Sequence, residues 1–172
     1  RFVERAKVPA FYFTGSRQAT VTADLAAFVA DASERSTLPG REGLSGTTPA
    51  GWEPALRALA NALPKGGPAI LVIDELPWLI ERDSGLEGTL QKLWDTLFQH
   101  LPVLVILIGS DLAMMEALQQ HGRPLFGRPR EMVVDPFHVA DTARMLGIDD
   151  PGAAFDAQMV TGGYPRLLME WR

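Results

Sequence analysis

The sequence predicts an α/β fold in which a parallel sheet lies between two layers of helices. Two unbroken apolar runs, at residues 69–73 and 103–108, have the pattern of strands that are covered on both faces. A third run, Ala-Phe-Tyr-Phe-Thr at 10–14, ends at a glycine and also predicts a strand. Helical patterns separate these runs, and strands that alternate with helices tend to form a parallel sheet. The predicted class is therefore a three-layer α/β/α fold.

The helices between the strands are predicted from apolar spacing and from capping residues. The strongest pattern lies at 89–101, where apolar residues recur at i, i+3, i+4 and i+7. Thr22 is a candidate cap for an earlier helix, and Pro54 is a candidate start for the next one. Residues 36–51 are dense in Gly, Pro, Ser and Thr, which predicts a loop.

The C-terminal part is predicted to contain one short strand and then helices alone. Residues 131–134, Glu-Met-Val-Val, suggest the last strand. Two helical stretches follow, and a final helix begins at Pro165. We therefore predict a core domain over 1–137 and a small helical lid over 138–172.

Composition excludes several classes of function. The 172 residues are 47% hydrophobic and 22% charged, which is ordinary for a globular domain. The net charge of -5 does not support broad binding of nucleic acid or anionic membranes. The absence of cysteine excludes disulfides, thiolate metal sites and cysteine nucleophiles, and the three histidines lack zinc-binding spacing. With no visible signal peptide and no apolar run near the roughly 20 residues of a membrane span, a cytoplasmic setting is expected.

Two acids that follow the second apolar run carry the clearest chemical signal. Functional residues of open parallel sheets lie just past the carboxyl ends of the strands, where Asp74 and Glu75 fall. An Asp there can hold Mg²⁺, and a neighbouring Glu can polarise the water that attacks a terminal phosphate. The alternative is a strand end with two solvated acids. Ser110 follows the next apolar run, so its hydroxyl is expected at the same edge; its alternative role is to cap the helix that begins at Leu112.

Four short segments occur in an order that is typical of one family. They are Leu-Val-Ile-Asp-Glu-Leu-Pro-Trp-Leu at 71–79, Leu-Ile-Gly-Ser at 107–110 with Met-Met-Glu at 114–116, Pro-Leu-Phe-Gly-Arg at 124–128, and Gly-Gly-Tyr-Pro at 162–165. They resemble, in turn, the Walker B strand, the sensor-1 strand and helix, a Pro-Leu-aromatic-Gly-Arg segment and the lid motif of the archaeal-type ATPases. That family is an AAA+-like group of P-loop NTPases related to the STAND ATPases. The resemblance spans roughly residues 48–168.

The resemblance implies ATP and Mg²⁺ as ligands and a role for each of five residues. Asp74 would be the Mg²⁺-associated acid of the nucleotide site, Glu75 the catalytic base and Ser110 the sensor-1 polar group. Arg128 would stabilise charge on the phosphates, because its planar fork pairs with phosphate oxygens. Arg166 would contact the nucleotide from the lid. For Arg128 the alternative is a surface ion pair with a nearby acid, and for Arg166 it is simple solvation.

The phosphate-binding P-loop of that family is missing from the sequence. Its pattern, Gly-x-x-x-x-Gly-Lys-Ser/Thr, occurs nowhere, and the glycine-rich stretch at 40–48 lacks the lysine. We expect a fragment that lacks the first strand and P-loop, with a degenerate relative that no longer binds nucleotide as the alternative. The family's P-loop strand lies beside the sensor-1 strand. Either residues 131–134 are therefore expected to close up beside 103–108, or a second copy or partner chain is expected to complete the sheet.

Two other classes of function stay open at this stage. One is a non-catalytic interaction module in which the helices after residue 137 dock a partner. Exposed apolar surface on those helices, with Asp74 and Glu75 in separate salt bridges, would favour it. The other is a different α/β hydrolase, which the absence of a Gly-x-Ser-x-Gly elbow disfavours. Nucleic acid is expected as a partner only through domains outside this chain.

Overall fold

The computed structural model describes residues 2–171. Its strands are β1 (Ala10–Thr14), β2 (Ala69–Asp74) and β3 (Val103–Leu107). Its α-helices are α1 (Phe2–Ala6), α2 (Val21–Ala30), α3 (Trp52–Asn61), α4 (Leu76–Arg82), α5 (Gly85–Thr96), α6 (Leu112–Leu118), α7 (Val139–Leu146), α8 (Pro151–Thr161) and α9 (Pro165–Leu168). A π-helical turn at Asp31–Arg35 extends α2, and short 3-10 turns lie at Arg41–Leu44 and Phe98–His100. Among these described helices none is long and apolar enough to cross a membrane.

The three strands form one parallel sheet in the order β1-β2-β3. Thr14 lies opposite Asp74, and Ile73 lies opposite Leu107, so the carboxyl ends of the strands meet at one edge of the sheet. We call this the carboxyl edge. The predicted α/β class and the parallel sheet are confirmed. The full three-layer arrangement and the missing first strand stay predictions.

One face of the sheet packs against the main hydrophobic core. Every second strand residue points to this face, which is the period that an extended chain imposes. Its buried members on β1 and β2 and the helical residues of the same core are Phe11, Phe13, Leu71, Ile73, Phe28, Leu56, Leu59, Leu90 and Leu93. The ring of Phe28 stands edge-on to Phe11 at 4.9 Å and to Trp52 at 5.6 Å between centroids. Such edge-to-face contacts add to the stabilisation from burial alone.

The opposite face of the sheet is only partly covered. Buried Ala10, Ile70 and Val72 pack with residues of α1 and of the segment that follows it. Leu104 on β3, by contrast, is 50% exposed. A groove of about 880 Å³ lies over this face beside α1. We call this side of the sheet the open face. The helices that contribute buried residues to the main core, on the other side of the sheet, are α2, α3, α4, α5 and α6.

The strand suggested at residues 131–134 is wrong. These residues have no regular secondary structure, and Met132 and Val134 are 81% and 80% exposed. They therefore add no strand to the sheet, and β3 is an edge strand in the described part of the chain. Residues with high strand propensity form a strand only where a neighbouring strand accepts their backbone hydrogen bonds, and no such neighbour is present among the described residues.

Several helix boundaries also differ from the sequence prediction. Thr20, rather than Thr22, caps α2, and its Oγ1 accepts a hydrogen bond from the N–H of Ala23 at 3.2 Å. The helix predicted at 89–101 begins at Gly85 and gives way to a 3-10 turn after Thr96. Helix α4 was not predicted from the sequence.

The chain divides into two compact units, Arg1–Pro129 and Arg130–Arg172. The second unit contains α7, α8 and α9, and the Thr142 hydroxyl of α7 donates to Gln158 Oε1 of α8 at 2.7 Å. Its extended entry segment belongs to the same unit, because the N–H of Phe137 donates to the carbonyl of Gly163 at 2.9 Å. The predicted boundary at 137/138 stays a prediction. The lid role of this unit stays a prediction.

Candidate functional site

The connection after β2 adopts a strained backbone. Asp74 is the last residue of the strand, and Glu75 has φ 54° and ψ 40°, which is the left-handed region that residues with a Cβ rarely adopt. Lys7 is the other non-glycine residue with positive φ among residues 2–171. The N–H of Leu76 donates to the carbonyl of Ile108 at 2.9 Å, which ties this connection to the end of β3. Strain of this kind persists where surrounding contacts hold it and is concentrated at functional sites.

Glu75 and Ser110 meet across the ends of β2 and β3. The Ser110 hydroxyl donates to Glu75 Oε2 at 2.9 Å, and the Ser110 N–H reaches the same oxygen at 3.4 Å. The alternative role of Ser110 as a helix cap is wrong, because Asp111 caps α6 by accepting a hydrogen bond from the N–H of Met114 at 3.0 Å. The Ser110 hydroxyl therefore binds Glu75 and does not cap α6.

The approach of the β3–α6 loop to α4 depends on a glycine. A Cβ on Gly109 would lie 2.7 Å from the Sδ of Met115 and 2.7 Å from Cγ and Cδ of Pro77. A real Cβ does not approach other atoms that closely, so any larger residue would push the loop away from α4. The close contact between Glu75 and Ser110 therefore rests on Gly109.

Both oxygens of the Asp74 carboxylate accept hydrogen bonds. Oδ1 accepts from the N–H of Glu75 at 3.0 Å, and Oδ2 accepts from the hydroxyl of Tyr12 on β1. The hydrogen bond to Asp74, followed by burial, raises the pKa of the Tyr12 phenol. Neither Asp74 nor Glu75 forms an ion pair with any residue in the described part of the chain. Sequence reasoning missed Tyr12, although strand alternation places it on the same face as Asp74.

The loop after β1 completes the carboxyl edge. The N–H of Gly15 donates to the carbonyl of Asp74 at 2.9 Å, and a Cβ on Gly15 would lie 2.7 Å from Cγ of Leu79. The guanidinium of exposed Arg17 lies 5.9 Å from the ring centroid of Trp78 on α4, within range of a cation–π interaction. Arg17 thus places a positive charge on this loop, which sequence reasoning also missed.

The structure gives Arg128 partners away from the acid pair. Its Nη2 and Nε donate to Asp95 at 2.7 and 2.9 Å, and its Nη1 donates to the carbonyl of Pro124 at 2.8 Å. The hydrogen bonds between the two side chains lower the pKa of Asp95 and raise that of Arg128. The ion-pair alternative thus describes this conformation, and a phosphate-stabilising role for Arg128 stays a prediction. Arg166 is exposed on α9 in the second unit, and its predicted contact with nucleotide also stays a prediction.

The carboxylate and hydroxyl oxygens at the carboxyl edge are of the kind that Mg²⁺ prefers as ligands. Among residues 2–171 no three His, Cys, Asp or Glu side chains are grouped closely enough to bind a metal by themselves. Mg²⁺ prefers oxygen ligands, keeps several waters and is commonly held by one or two carboxylates together with substrate phosphates. Asp74, Glu75 and the Ser110 hydroxyl supply oxygen atoms of this kind.

Comparison with known proteins assigns the class of fold. No family model matches the sequence, and no curated protein matches it at a significant level. Comparison with solved structures gives the chain a P-loop NTPase-like fold. The chain is similar to the Walker-type ATPase PABY2304 of Pyrococcus abyssi, with a TM-score of 0.64 and 16% sequence identity, over 95% of its own length. It spans 55% of that protein.

Proposed function

We propose that this chain is the ATP-binding domain of an AAA+-like ATPase, which in its complete form hydrolyses ATP to ADP and phosphate. The observation that carries the proposal is the hydrogen bond between Ser110 and Glu75, formed next to Asp74 at the carboxyl edge of a parallel sheet. Ligands bind at this edge in open α/β sheets. The likeness to a Walker-type ATPase supports the same class of function.

In this proposal Glu75 is the general base. Its Oε2 is engaged by Ser110, whereas its Oε1 has no hydrogen-bond partner among the described residues and is available to accept a proton from water. Ser110 orients the carboxylate, and the left-handed backbone of Glu75 sets the direction of its Cα–Cβ bond. A base held by a second group in this way is what proton abstraction from an attacking water requires.

Asp74 is the residue that holds Mg²⁺ in this proposal. Its carboxylate accepts one hydrogen bond on each oxygen, and each oxygen has a second lone pair for a metal ion or a metal-bound water. When bound, Mg²⁺ neutralises charge on the phosphate oxygens. Arg128 and Arg166 supply positive charge to the phosphates, which for Arg128 requires release from Asp95.

A phosphate cradle is needed for tight binding, and the sequence lacks the P-loop pattern that provides it. This chain alone is therefore expected to bind ATP·Mg²⁺ weakly and to show little turnover. A second copy or another chain that completes the sheet beyond β3 is the expected partner, because no described strand pairs with the outer edge of β3.

The test compares ATP hydrolysis by the full-length protein with that of its Glu75→Gln variant. Loss of a general base is expected to lower kcat by about 10²- to 10⁴-fold while ATP·Mg²⁺ affinity measured by calorimetry is retained. Glu81→Gln is the matched control, because Glu81 is an exposed acid on α4. Equal kcat for wild type and Glu75→Gln would refute the assignment of the base. Micromolar affinity of this chain alone for ATP would refute the need for a P-loop.

A second candidate function is a protein-interaction module. Exposed apolar side chains on α8 favour it, since Phe155, Met159 and Val160 are 52%, 67% and 72% exposed. The acid pair does not, because Asp74 and Glu75 are joined to Tyr12 and Ser110 rather than to separate salt bridges. This candidate predicts a partner complex that Glu75→Gln leaves intact and Met159→Asp abolishes.

A further inference from the structure

Tyr12 contacts Asp74 from the open face of the sheet. It lies on β1 opposite Val72, and Thr14 lies opposite Asp74, so the phenol reaches diagonally to the carboxylate on the neighbouring strand. Its hydroxyl donates to Asp74 Oδ2, while the N–H of Glu75 donates to Oδ1 at 3.0 Å. One donor on each oxygen fixes the rotation of the carboxylate about its last bond.

We propose that Tyr12 is a positioning residue that orients Asp74 toward a Mg²⁺-bound nucleotide. The inference rests on the proposed ATP-binding function and deepens it. Each carboxylate oxygen has two lone pairs, so the hydrogen bonds from Tyr12 and Glu75 leave one on each oxygen for the metal or its water. Partners that orient a metal-associated carboxylate contribute to affinity because the carboxylate need not be ordered when the metal binds.

A purely structural role does not explain the position of Tyr12. The side chain is 48% exposed, and it lines the groove of the open face together with Arg35 and Lys7. The sheet residues that build the main core point to the other face, as Phe11 and Phe13 do. Tyr12→Phe therefore removes one hydroxyl from a half-exposed ring and is expected to leave the fold intact.

The test measures affinity for a non-hydrolysable ATP analogue by calorimetry on the full-length protein, with Mg²⁺ present and with EDTA. Tyr12→Phe is expected to weaken binding about 10- to 100-fold in Mg²⁺ and to leave binding in EDTA unchanged. Thr96→Val is the control, because Thr96 is exposed on α5 and the change removes a hydroxyl bonded to the carbonyl of Lys92. Asp74→Asn supplies a double-mutant cycle, in which Tyr12→Phe is expected to add nothing further.

The outcomes test the proposed function and the role of Tyr12 separately. Wild-type protein that binds the analogue in neither condition overturns the proposed function and the role of Tyr12 with it. Binding that is equal with and without Mg²⁺ overturns the metal role of Asp74 and therefore the role of Tyr12. Mg²⁺-dependent binding that Tyr12→Phe leaves unchanged overturns the role of Tyr12 alone. A loss that is equal in Mg²⁺ and EDTA, or that persists in the Asp74→Asn background, also overturns it, because Tyr12 would then not act through Asp74.

Discussion

Arg82 of α4 forms a nearly buried ion pair with Asp24 of α2, with 2.6 Å between Nη2 and Oδ2 and an Asp24 side chain that is 3% exposed. The other terminal nitrogen of Arg82 donates to the carbonyl of Arg17 at 3.1 Å, and the N–H of Ser16 donates to Asp24 Oδ1 at 3.4 Å. The pair therefore fixes the loop after β1 against the helix that follows Glu75. The ion pair thus holds together two segments that border the carboxyl edge, the loop after β1 and helix α4.

Asp24→Asn is expected to destabilise the fold by about 3–5 kcal/mol, because removal of one partner leaves the other charge buried and unpaired. The free energy of unfolding in urea measures this. Asp24→Asn combined with Arg82→Met is expected to cost less than Asp24→Asn alone, since no uncompensated charge remains. Asp31→Asn is the control: it breaks the pair with Arg35, which is 78% exposed, and is expected to cost less than about 1 kcal/mol. An Asp24→Asn effect as small as this control would contradict the argument.

The left-handed backbone at Glu75 predicts an inverted order of stability for two variants. Glu75→Gly and Glu75→Ala both lose the hydrogen bond with Ser110, but only the alanine variant keeps a Cβ in a region that costs about 1–2 kcal/mol. The greater entropy of unfolded glycine offsets about 0.5–1 kcal/mol of that gain. The glycine variant is therefore expected to be the more stable of the two, by up to about 1.5 kcal/mol in urea unfolding.

The same pair of variants at Glu81 provides the control for this experiment. Glu81 lies within α4, where alanine is expected to be more stable than glycine by about 1 kcal/mol. Glycine at position 75 that is no more stable than alanine would show that the strain is absent in solution. Confirmation would mean that the connection between β2 and α4 stores strain at the proposed catalytic base itself.

The sheet was predictable from sequence because its strands carry their own signal. Residues 69–73 and 103–108 are apolar on both faces, a pattern that does not depend on knowing the partner strand. The segment at 131–134 has similar propensity, yet propensity does not supply a neighbour for its backbone groups. Helix α4 escaped prediction because it begins one residue after β2 and no side-chain cap marks its start.

The candidate site was likewise predictable in part: strand topology could be predicted from the sequence, but long-range side-chain contacts could not. Parallel topology alone places residues that follow neighbouring strands at one edge, and the structure brings Glu75 and Ser110 together there. Tyr12 was not identifiable, because its hydrogen bond spans 62 positions in the sequence and depends on the register between β1 and β2. The ion pair between Arg128 and Asp95 likewise depends on how distant segments pack, which composition and spacing do not reveal.

The pair of Asp95 and Arg128 predicts a pH-dependent contribution to stability. Hydrogen bonds from Arg128 lower the pKa of Asp95 in the folded chain, so the pair stabilises the fold fully above the ordinary carboxyl pKa and less as the pH falls through the lowered one. In urea unfolding, the free energy of unfolding of wild type is expected to exceed that of Asp95→Asn by a constant margin from neutral pH down to about pH 4. Below that pH the margin is expected to shrink. High salt should narrow the margin at neutral pH, because the pair is partly exposed. A margin that stays constant into strong acid would contradict a lowered pKa for Asp95.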